Sequence, residues 1–134
     1  MNTQNYPSWL VNVGQAKRLK KIGFDMSCQF FLPIKMYEDF DTNELEFDFQ
    51  KENHNESVDY WSIPSYEQVF EWFREKGYIG TINFVYIDKN NFYYKLRING
   101  KCNFINEEKF TNYEEAREEL VKILIETYKT NEIL

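Results

Sequence analysis

The order of periodic segments predicts an α+β fold: one domain, with an antiparallel meander sheet of about five strands and three helices packed on it. Strand-like runs lie close together in sequence and are joined by short turns, which antiparallel pairing permits and parallel pairing does not. Three other segments have helical spacing with start and stop residues at their ends. The 134 residues, 43% hydrophobic and 19% aromatic, suffice for one buried core. The expected order is α-β-β-α-β-β-β-α, with no interior linker rich in Pro, Gly or Ser.

Residues 1–11 read as a loosely ordered start, with Trp9 and Leu10 tucked onto the domain. The first helix is expected from about Asn12 to Ile22, because Gly23 stands where a helix-ending glycine belongs. Gln29–Tyr37 reads as a strand, and Pro33 places it at an edge or a bulge. Leu45–Phe49 alternates strictly and forms the next strand, with Glu46 and Asp48 toward water. Lys51–Trp61 is polar and reads as a mobile loop, its His54 exposed. Ser65 and Gln68 make a capping box for the second helix, with Val69, Phe70, Trp72 and Phe73 apolar and Gly77 as the stop. Strands follow at about Thr81–Asp88, Phe92–Asn99 and Lys101–Ile105, joined by turns at Lys89–Asn91 and Asn99-Gly100. The last helix starts at Asn112, with Glu115 at the capping-box position and an apolar face of Ala116, Leu120, Ile123, Leu124 and Tyr128.

Charge is segregated. Glu38–Asp59 contains nine acids and the single base Lys51, whereas residues 1–37 set Lys17, Arg18, Lys20, Lys21 and Lys35 against Asp25 alone. The net charge is −6. Such an acidic block repels nucleic acid and attracts basic surfaces. It is read here either as a solvated hairpin, as a docking surface, or as the counterpart of the protein's own basic helix.

No catalytic motif stands out. The acids occupy polar turns and solvent faces, where nothing shifts their pKa toward acid–base work. Cys28 and Cys102 read as small buried hydrophobes, and neither is spaced to form a nucleophilic pair with His54. Asp39-Phe40-Asp41-Thr42-Asn43 opens like a calcium loop, but Glu44 replaces the turn glycine and Gln50 the bidentate glutamate. Neither metal nor cofactor is expected. No apolar run approaches the roughly 20 residues of a membrane helix, and no secretory leader is visible, so a cytoplasmic location is expected. On the strand after Lys89–Asn91, Tyr93, Lys95 and Arg97 share a face. With Lys101 and the helix-one bases Lys17, Arg18 and Lys21, they are an alternative surface for RNA or single strands.

Ala16-x-x-Leu19-x-x-Ile22-Gly23-Phe24-Asp25, the helix Pro64–Lys76 with its Phe-x-Trp-Phe-Arg-Glu-Lys core, and Tyr113-Glu114-Glu115-Ala116 stand out together. In this combination the chain resembles small uncharacterised proteins of phages and prophages in Bacteroidetes-type bacteria. The resemblance implies a mobile-element protein facing host machinery. In that setting the expected role is a non-enzymatic inhibitor of the anti-CRISPR type. Its acidic hairpin (Glu38, Asp39, Asp41, Glu44, Glu46, Asp48) would dock on the basic nucleic-acid-binding surface of a host defence nuclease, such as a CRISPR effector with its guide RNA.

Overall fold

The computed structural model describes residues 6–34 and 45–133. It has the expected α+β class, but among the described residues the strands form two antiparallel three-stranded sheets rather than one meander. The chain divides into two compact units, Met1–Gln68 and Val69–Leu134.

In the first unit, α1 (Val13–Lys21) is capped by Asn12, whose side chain accepts from the Gln15 amide at 2.8 Å. It ends in a Schellman motif: the Phe24 amide donates to the Leu19 carbonyl and the Gly23 amide to that of Lys20. Gly23 adopts φ +92° there. The sheet order is β2 (Glu46–Glu52), β1 (Cys28–Pro33), β3 (Tyr60–Ile63). β1 is therefore the central strand and not an edge. Pro33 is accommodated as its last residue, opposite Tyr60, and the ladder slips between Cys28 and Phe30.

The expected mobile loop is replaced by structure. β2 continues to Glu52, a 3₁₀ turn spans His54–Glu56, and β3 follows. His54 is buried, with its ring stacked on Phe31 at 4.0 Å between centroids. Asn55 fixes this turn from both ends of its amide, donating to the Phe24 carbonyl at 3.0 Å and accepting from the Ser62 amide at 2.9 Å. Leu10 is buried and bridges to Ser65, while Trp9 stays half exposed against Phe30.

α2 (Tyr66–Lys76) begins with the expected capping box: the Gln68 amide donates to Ser65 Oγ at 3.1 Å, and the Ser65 amide to Gln68 Oε1 at 3.0 Å. The same Gln68 side chain donates through Nε2 to the Ser27 carbonyl just before β1.

In the second unit, β5 (Asn91–Gly100) is flanked by β4 (Tyr78–Asp88) and the two-residue β6 (Phe104–Ile105). Gly100 closes β5 opposite Tyr78 instead of forming a two-residue Asn-Gly turn. α3 (Tyr113–Tyr128) is capped by Asn112, whose Oδ1 accepts from the Glu115 amide. Its buried face is Ala116, Leu120, Val121, Leu124 and Ile125, so Ile123 and Tyr128 lie at the margin of the stripe. Leu120 and Leu124 lie against Gly80, where a Cβ would come within 3.0–3.3 Å of their methyls. At the other end of the helix, Tyr128 meets Trp72, Phe73 and Tyr78 at centroid distances of 5.2, 6.0 and 5.8 Å.

Candidate protein-interaction surfaces

Of the expected acidic hairpin, Glu38, Asp39, Asp41 and Glu44 lie outside the described residues. Glu46 opens β2 opposite Phe31, and Asp48 lies two residues further along the strand. β2 is an edge strand, and its exposed Glu46 and Glu52 lead on to exposed Glu56 and Asp59. The described acids thus follow β2 and the turn after it, with Glu46 and Glu52 on the β2 edge and Asp59 just before β3 on the other side of β1.

The basic helix reaches this acidic stretch at one point. Lys20 Nζ donates to the carbonyls of Ser57 and Tyr60, both at 2.5 Å. Partial burial pushes its pKa down, and the neighbouring Asp59 charge opposes that shift. Lys17 Nζ stands 4.7 Å over the Trp61 ring. Arg18 and Lys21 are exposed on the outer side of α1. Pairing of the basic helix with the acidic block was one of the sequence readings, but the contacts made by Lys17 and Lys20 are to the Trp61 ring and to backbone carbonyls beside β3, a strand not visible in the sequence.

The alternative nucleic-acid face is placed in the second unit. On β5, Tyr93, Lys95 and Arg97 stand opposite Val85, Asn83 and Thr81. Lys109, absent from the sequence-based set, reaches over the Tyr93 ring at 4.8 Å. Lys101 is drawn away from this surface. Its Nζ lies 3.5 Å from Glu132 Oε2 and 5.9 Å from the Tyr78 ring centroid. Lys17, Arg18 and Lys21 belong to the first unit.

Thiol chemistry is suppressed. Both cysteines are free; burial pushes the Cys28 thiol up to about 12 and raises that of Cys102. At neutral pH neither is a thiolate, the form that attacks or binds metal. Among the described residues no group of three or more His, Cys, Asp or Glu could hold a metal ion. A cleft of about 160 Å³ in the first unit is lined by Trp9, Leu10, Gln29, Phe30, Lys51, Ile63, Ser65 and Gln68. Its one charged group is Lys51, and the Gln68 amide is spent on the helix cap and on Ser27. Acid–base catalysis needs titratable groups converging on one point, and this lining does not supply them. Among the described residues no helix is long and apolar enough to cross a membrane.

The second unit has one further surface. α3 covers the sheet from Gly80 to Tyr94, where Tyr113 at its first turn meets Tyr94 at 5.6 Å. Beyond it the turn end of the β4–β5 hairpin carries Phe84, Tyr86 and Phe92, with Phe84 5.7 Å from Phe92 and 5.2 Å from Tyr94. Phe84 and Tyr86 are 53% and 62% exposed, far from the burial such side chains usually reach.

No protein-family model, curated protein or solved structure matches this chain.

Proposed function

We propose that this chain is a non-enzymatic binding protein that docks its acidic β2 edge on a basic surface of a partner protein. The observation that supports this reading is the placement of β2 at a sheet edge, with Glu46, Glu52, Glu56 and Asp59 exposed in succession. Glu46 and Asp48 are two residues apart on one strand, about 6.8 Å along it. In the mobile-element setting of the resemblance, the partner is a host nucleic-acid-handling enzyme, such as a CRISPR effector, whose groove is basic by necessity.

Charges at the rim of an interface act mainly on association rate and salt dependence. Capture of the partner with the intact chain should therefore weaken as salt rises. The quadruple reversal of Asp39, Asp41, Glu46 and Asp48 to Lys should lower affinity at least about tenfold, since each exposed pair is worth roughly 0.2–1 kcal/mol and reversal turns attraction into repulsion. Unchanged binding by a reversed chain with a native circular dichroism spectrum overturns the proposal.

A second reading rests on Lys109, which stands over the Tyr93 ring, and on Lys95 and Arg97, which follow Tyr93 at alternate positions of β5. It assigns the second unit to RNA or single strands. A low-salt gel shift with a labelled single strand tests it, and no retardation removes it.

A further inference from the structure

We infer that β4 pairs with β4 of a second copy of this chain, joining two second-unit sheets into one continuous six-stranded sheet. The inference is independent of the acidic β2 edge and begins from hydrogen-bond parity. In antiparallel sheets the residues of a strand point their backbone groups alternately to one side and the other. The Tyr94 amide and carbonyl both bond Phe110, and the Leu96 carbonyl accepts from the Asn106 amide. These two residues therefore face away from β4, and their partners Phe84 and Ile82 face away from β5. Gly80 and Tyr86 follow by parity. The outer edge of β4 thus presents the amides and carbonyls of Gly80, Ile82, Phe84 and Tyr86, and among the described residues no strand pairs with that edge.

Exposed edges are ordinarily blunted by lysines, prolines, inward charges or short length. β2 follows this rule with Glu46, Lys51 and Glu52. β4 carries only a register irregularity between Tyr86 and Asp88, at its turn end: its eleven residues, YIGTINFVYID, hold no Pro and no Lys, and their one carboxylate is Asp88 at the same end. A chain of net charge −6 opposes its own approach almost everywhere. On this strand the opposition is absent.

The strand also complements itself. About a two-fold axis at Asn83, Ile82 faces Phe84 of the second copy, Gly80 faces Tyr86, Thr81 faces Val85, and Asn83 faces Asn83. No like charges are opposed, and the Tyr86 ring falls beside Leu120 and Leu124, the apolar side chains that cover Gly80. The four hydrogen-bonded pairs supply about eight backbone bonds, two to each. The exposed parts of Ile79, Phe84, Tyr86 and Ile87 amount to on the order of 400 Å² per copy before the backbone is added. The contact therefore falls near the lower end of specific interfaces, and a micromolar dimer is the expected strength.

Sedimentation velocity of the full chain over rising concentration tests this. The mass should climb from 16.4 kDa toward twice that value. Asn83→Glu places its carboxylate opposite Lys95 within the hairpin but opposite its own copy across the axis. It should keep the native melting curve and stay monomeric. In a Cys102→Ser background, Asn83→Cys should form a disulfide-linked dimer on mild oxidation and Thr81→Cys should not, since only the former meets itself at the axis. A chain that stays monomeric at every concentration overturns the inference. So does a dimer that Asn83→Glu leaves intact, or a failure of Asn83→Cys to cross-link.

Discussion

Replacing Gly100 by Ala should be among the most damaging single-methyl additions to this chain. Gly100 has φ +111°, and a Cβ there would run into the backbone carbonyl of Gly77 well inside van der Waals distance. That carbonyl accepts the Lys101 amide at 2.8 Å, so neither side of the contact is a side chain free to rotate away. Two costs add. A non-glycine residue in the left-handed region is strained by about 1–2 kcal/mol. Displacing the backbone and weakening the Lys101 bond adds roughly 1–3 kcal/mol more. Gly23→Ala is the internal control, because Gly23 has φ +92° but open space where the Cβ would stand. It should lose only the strain, about 1 kcal/mol. Urea denaturation of the two variants and the parent gives both figures. The expected difference between them is about 2 kcal/mol, with a melting point several degrees lower for Gly100→Ala. Equal losses for the two glycines would refute the backbone clash and leave conformational strain alone.

Three further outcomes follow from named contacts. Lys20→Met keeps the aliphatic stem but leaves the Ser57 and Tyr60 carbonyls without their donor, and should cost about 1–3 kcal/mol in urea unfolding. Ser65→Ala removes the hydroxyl that accepts the Gln68 amide and should cost about 1 kcal/mol, read as lost α2 helicity and a lower denaturation midpoint. The Cys28 thiol lies at about 12 in the folded chain against an ordinary 9.0. Between those values the unfolded chain has released a proton that the folded chain retains, so rising pH favours unfolding. Its contribution is complete below pH 9 and is lost progressively up to about 12. Cys28→Ala should flatten the alkaline fall in stability measured by urea midpoints across that window, and Ellman's reagent at neutral pH should leave Cys28 unmodified until the chain unfolds.

The helices were legible because their ends are written in local chemistry. Asn12, Ser65, Gln68 and Asn112 each satisfy a helix-end amide from within three residues, and Gly23 and Gly77 take up the positive φ that follows a helix. β3 was hidden for the opposite reason. Its four residues, Tyr-Trp-Ser-Ile, are mostly buried on both faces and show no alternation. The edge reading of β1 came from Pro33, which the central strand accommodates as its last residue opposite Tyr60, and His54 read as a surface residue because the Phe31 ring that buries it is a tertiary contact. On β5 the alternation was read correctly, with Leu96 and Ile98 buried on the helix side. The exposure of Phe84 and Tyr86 was not, because it depends on relative lengths. A 16-residue helix is about 24 Å long, whereas an 11-residue strand extends to about 37 Å. Of the acidic site, the strand and its outward Glu46 were legible, while the commitment of Lys17 and Lys20 to residues 57–61 was a tertiary fact.

The way each sheet is closed sets the order of events in folding. β4 and β5 pair from Asp88 opposite Asn91 to Tyr78 opposite Gly100, so each rung brings the next within reach and the hairpin zips from its turn. Hairpins of this kind form in about 1–10 μs. β1 has no tight turn to start from, its nearest pairing being Phe31 with Glu46. It reaches Ile63 and Ser62 across more than 30 residues, and the amides that hold its surroundings, Asn55 to Phe24 and Gln68 to Ser27, span 31 and 41. Such closures lose entropy before any contact rewards them. The β4–β5 hairpin is thus expected to form before β1 is held from both sides.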